Sequence, residues 1–78
     1  MNSTTQMYVD LLYRKYGKTQ LTRIELAETL EISVSSLEGL ILKGDLPIRY
    51  KRIGVSQKAR YVFPIIEVAN FLAFADAA

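Results

Sequence analysis

Seventy-eight residues make one domain, 1–78, with a modest core and no room for a second. Half are hydrophobic and 23% charged, an ordinary globular balance, and a net charge of +2 is too small to single out a polyanionic partner by itself. With no Cys and no His, the chain holds no disulfide framework, no zinc ribbon and no thiol or imidazole catalytic pair.

The first ten residues, MNSTTQMYVD, carry neither a basic stretch nor an apolar run, and the most apolar segment, FPIIEVANFLAFA, is broken by Glu67 and Asn70. A cytoplasmic protein with no membrane partner is expected. Ser3-x-x-Gln6 reads as a capping box before a first helix over about 4–16, with Met7, Tyr8, Leu11 and Leu12 on one side and Gly17 as its stop. A second helix starts at Arg23. Thr22 and Glu25 form a reciprocal box, and Leu21 and Leu26 stand in staple register.

That helix ends near Leu30, and Ser33 repeats the device: Ile32 and Leu37 are again in staple register, and a third helix runs to Lys43 with Gly44 beyond its end. Only about three residues separate the two helices. Pro47 then forbids helix and pushes Leu46 toward extended geometry, so IRYKRI (48–53) and RYVF (60–63) read as two strands around the loop GVSQKA. Pro64 suits the first turn of a last helix. The predicted fold is mainly α with a two-stranded β-hairpin.

Apolar residues at 26, 30, 37 and 40 would mark any helical hairpin. The short turn, the small Ala27 and the basic hairpin that follows favour a helix-turn-helix. Leu26, Ala27, Leu30, Ile32, Leu37 and Leu40 match its apolar and small positions. Glu31 stands where such motifs commonly carry Gly, so the turn must either avoid positive φ or carry strain. The wider pattern, L-T-x-x-E-L-A-x-x-L-x-I-S-x-x-x-L followed by K-G-D-L-P and F-P-I-I-E-V-A-N-F-L, resembles the small winged helix-turn-helix proteins of the excisionase, AlpA and MerR-like group over about residues 21–74. GDLPIRYKRIGVSQKARYVF is similar to the pyocin-activator type of phage-associated transcription regulator. The resemblance implies a winged helix, duplex DNA as partner, regulation of phage or mobile-element genes, and no catalysis.

On a DNA reading, Ser33, Val34, Ser35, Ser36, Gly39 and Lys43 of the third helix face the major groove. This helix has no Arg, Asn or Gln for bidentate base contacts, and Glu38 repels phosphate unless it accepts from a cytosine amino group. Arg49, Lys51, Arg52, Lys58 and Arg60 make a hairpin with five cations and no acid, suited to phosphates or the minor groove, with Ser56 and Gln57 at its tip. The plain alternative is a solvated edge hairpin guarded by charge. Tyr50, Tyr61 and Phe63 are expected in the core rather than stacked on bases.

In the last helix Ile65, Val68, Ala69 and Leu72 share one face, while Ile66, Phe71 and Phe74 point elsewhere. Unless the first two helices cover them, they favour a homodimer or cooperative oligomer. The carboxylates are scattered and no phosphate loop is present, so no enzyme, cofactor, metal or small-molecule ligand is expected. Two further functions compete with a transcription regulator. One is an excisionase-like architectural factor that bends DNA for a recombinase. The other is a protein-interaction module, an anti-repressor or adaptor, working through the apolar last helix.

Overall fold

A computed structural model describes residues 2–54 and 59–74. It contains α1 (Ser3–Tyr16), β1 (Gln20–Leu21), α2 (Arg23–Leu30), α3 (Val34–Lys43), β2 (Lys51–Ile53), β3 (Arg60–Pro64) and α4 (Ile65–Ala73). The protein is thus mainly helical, with four helices and a three-stranded antiparallel sheet in the order β1-β3-β2.

Helix α1 starts one residue before the expected box. Asn2, not Ser3, is the cap, its side chain accepting from Thr5 N at 2.8 Å, while Gly17 ends the helix at φ 69° as expected. The buried face also differs. Thr5, Tyr8, Val9, Leu12 and Tyr16 form one helical stripe toward the core, whereas Met7 and Leu11, about 100° per residue off that stripe, are each 48% exposed.

The start of α2 matches its prediction, with both halves of the Thr22–Glu25 box made. Glu31 closes α2 at φ 58°, the one non-glycine residue in the left-handed region among those described. Of the two possibilities, the turn carries strain. Ser33 caps α3 and Gly44 ends it, again as predicted.

The two-stranded hairpin is corrected to a three-stranded sheet. Gln20 and Leu21 pair with Pro64 and Phe63, and Ile65 N donates to Thr19 O at 2.9 Å, so the α1–α2 link is strapped along β3. Leu21 and Phe63, directly opposite each other, are both buried, and their contact pays for so short a strand. Strand β2 begins at Lys51 rather than at residue 48, because Ile48 turns into the core at a bend. Pro64 ends β3 and caps α4 instead of occupying its first turn.

One buried cluster draws on every helix: Leu12, Leu26, Ala27, Leu37, Ile41, Val68 and Ala69, joined by Leu21, Ile48, Phe63 and Ile65. Helix α4 buries Ile65, Val68 and Ala69 and packs along α1, so the predicted inner face is the observed one.

Candidate nucleic-acid interface

The α3 face is built from its cap outward. Ser33 Oγ accepts from Ser36 N at 3.0 Å and donates to Ser36 Oγ at 2.9 Å. Ser33 is therefore committed to the cap, while the Ser36 hydroxyl keeps its own proton for an outside acceptor. Ser35, Ser36 and Lys43 are exposed, and Gly39 is partly exposed. Val34 is partly buried: it lies on the Leu37–Ile41 side, i, i+3 and i+7, and packs against the core. A residue missed from the sequence, Leu42, is 86% exposed on the outer side of α3.

Gly39 has no internal reason to be glycine. A Cβ built there meets nothing within 4 Å and the backbone is helical. Mid-helix glycine costs roughly 0.5–1 kcal/mol relative to alanine. The position leaves the outer face of α3 low between Ser35, Ser36 and Lys43.

The β2–β3 register decides where the hairpin cations point. Lys51 lies opposite Val62, Arg52 opposite Tyr61 and Ile53 opposite Arg60. Side chains directly opposite share a face and alternate along each strand. Lys51 and Arg60 therefore share one face, and Arg52 projects from the other, beside Tyr61. The cations of the hairpin are thus divided between two faces of the ribbon. Tyr61 and Phe63 lie on the inward face, and the ring of Tyr50 sits 5.6 Å from each of theirs, so these aromatics close the core as anticipated. Arg49 is exposed just before β2. Ser56, Gln57 and Lys58 lie outside the described residues.

Charge is segregated along the chain. Among the described residues three ion pairs join cations of the first half to glutamates, Lys15–Glu28 at 3.3 Å, Lys18–Glu25 at 2.9 Å, and Arg23–Glu38, while Arg14 is exposed and makes none. Lys43, Arg49, Lys51, Arg52 and Arg60 are exposed and make no ion pair among the described residues. Their charge is available to a partner, whereas Glu38, the one acid of α3, is already neutralised by Arg23.

Arg23 is a candidate site residue not evident from the sequence. It follows the Thr22 cap as the first residue of α2, and the crossing of α2 over α3 brings it to Glu38, fifteen positions on. In the sequence, only the expectation that the two helices pack as a close hairpin pointed toward that contact. Two shallow clefts meet at this point, one lined by Arg23, Glu38, Ile41, Leu42 and Tyr61, the other by Arg23, Ile24, Arg60, Tyr61 and Val62 among others. Arg23 and Tyr61 line both, so α3, the start of α2 and the ribbon border one continuous surface.

On α4, Ile66, Phe71 and Phe74 remain exposed, at 37%, 36% and 64%. The first two helices do not cover them. Among the described residues no helix is long and apolar enough to cross a membrane, and no group of three or more His, Cys, Asp or Glu is placed to hold a metal ion.

Comparison with protein-family models, curated proteins and solved structures yields no match.

Proposed function

We propose that this protein is a winged helix-turn-helix, sequence-specific binder of double-stranded DNA, acting as a transcription regulator of the phage or mobile-element kind that its sequence resembles. The observation that carries this reading is the concentration of exposed cations without ion-pair partners among the described residues, Lys43, Arg49, Lys51, Arg52 and Arg60, from the end of α3 through the ribbon. A short capped turn holds α2 against α3, and on the outer side of α3 the small or polar Ser35, Ser36 and Gly39 permit close approach to base edges, with Leu42 exposed near the end of the helix. In this reading α3 enters the major groove and the β2–β3 ribbon, the wing, grips flanking phosphates.

The exposed aromatic face of α4 supports pairing with a second copy of the chain, which doubles the contacts of a sparsely armed recognition helix. The two surfaces are separable. Charge reversal of Lys51→Glu with Arg52→Glu is expected to weaken binding of a labelled duplex at least about tenfold at low salt. Phe71→Ser with Phe74→Ser is expected to leave the monomer's contact with the duplex in place while abolishing self-association in sedimentation. Retention of full affinity by the charge-reversed protein contradicts the wing's role. If the wild-type chain binds no duplex, and an association that the α4 variant loses persists in the charge-reversed protein, the interaction-module reading is favoured.

A further inference from the structure

The Arg23–Glu38 pair is an odd feature for a phosphate-facing surface, since it spends one cation to hold one acid at the edge of α3. Both side chains stay accessible, at 44% and 43%, so the pair is not a buried clamp. As a surface ion pair it contributes about 0–1 kcal/mol to folding. It stands at the meeting point of α3, the start of α2 and the ribbon, next to the open position left by Gly39.

An adjacent carboxylate and guanidinium present an acceptor beside a fork of donors. Across the major-groove edge of a C·G pair the order is the cytosine N4 donor, then the guanine O6 and N7 acceptors. The two patterns are complementary, acceptor on donor and fork on two acceptors. A T·A edge runs O4 acceptor, N6 donor, N7 acceptor, which sets a carboxylate beside acceptors and breaks up the pair of acceptors that the fork requires. Without Arg23, Glu38 would approach the duplex as an uncompensated negative charge.

Resting on the DNA-binding reading above, we infer that Arg23 and Glu38 act together as a specificity device for a single C·G base pair, Glu38 accepting from cytosine N4 and Arg23 donating to guanine O6 and N7. The ion pair seen in the free protein then serves to pre-position both groups. Glu38→Gln keeps the shape but exchanges the acid for an amide, whose bidentate partner is adenine. Arg23→Lys keeps the charge but loses the planar fork.

The test is selection of duplexes from a randomised library by the wild-type chain and by Glu38→Gln and Arg23→Lys, each first shown to melt cooperatively. The expected result is a wild-type motif with one C·G position per half-site. Glu38→Gln shifts that position from cytosine toward adenine by about tenfold or more, and Arg23→Lys relaxes it, the other positions being unchanged. If both variants recover the wild-type motif, or the motif has no C·G position that responds to them, the inference is overturned while DNA binding stands. If the wild-type chain enriches no duplex, both fall.

Discussion

Glu31 shows what the turn costs. In the left-handed region an L side chain crowds its own backbone, at roughly 1–2 kcal/mol, and Glu31 sits there at φ 58° with its N–H bonded back to Ala27 and Glu28 carbonyls. Glycine removes that crowding but gives the unfolded chain more freedom to lose. Glu31→Gly is therefore expected to stabilise the protein by a net of about 0.5–1 kcal/mol, seen as a higher urea midpoint at unchanged slope. A lower midpoint would show that the turn does not depend on left-handed geometry here. The residue was visible in the sequence as a departure from glycine; the choice between strain and another turn required the backbone angles.

Among the elements, the junction of α1 with α2 is polar and titratable. Tyr16 Oη donates to Glu28 Oε1 at 2.6 Å, and that hydroxyl, then the Lys15 ammonium, hold the Glu28 carboxyl below its ordinary range. For Glu25 burial is the largest single influence and pushes upward, but the Thr22 N–H and the Lys18 ammonium together outweigh it and the carboxyl is lowered. A carboxyl lowered in the folded state contributes stability above its unfolded value, about 4.3, and that stability is lost as the pH falls through the folded value. The melting temperature is accordingly expected to hold from pH 7 to about 5 and to fall below about 4.5. Tyr16→Phe should lower it at pH 7 and shrink the acid-induced drop, and an unchanged acid profile in that variant would remove Tyr16 from the junction. The starts and stops of α2 and α3 were legible because each rests on a local signal, Thr22 with Glu25, Ser33, and Gly44. Strand β1 was not, since two residues carry no period and Leu21 becomes a strand only through Phe63, remote in sequence. The α1 face was misjudged for a related reason: apolar Met7 and Leu11 outrank Thr5 by composition, yet the stripe turned to the core runs through Thr5, Val9, Leu12 and Tyr16.

For the whole molecule, what matters is how charge and apolar surface are distributed. Glu25, Glu28 and Glu38 are drawn into ion pairs with Lys18, Lys15 and Arg23, while Lys43, Arg49, Lys51, Arg52 and Arg60 have no ion-pair partner among the described residues. That cluster was legible as RYKR and KAR in the sequence; its division between two faces of the ribbon was not, because it depends on register. The most direct measurement is fluorescence anisotropy of a labelled random duplex titrated with the protein at several salt concentrations. Dissociation constants of about 1–100 µM are expected near physiological salt, with log affinity falling linearly against log salt at a slope of several released counterions. An absence of binding even at about 50 mM salt would contradict the DNA-binding reading, and would assign the working surface to the exposed aromatics of α4.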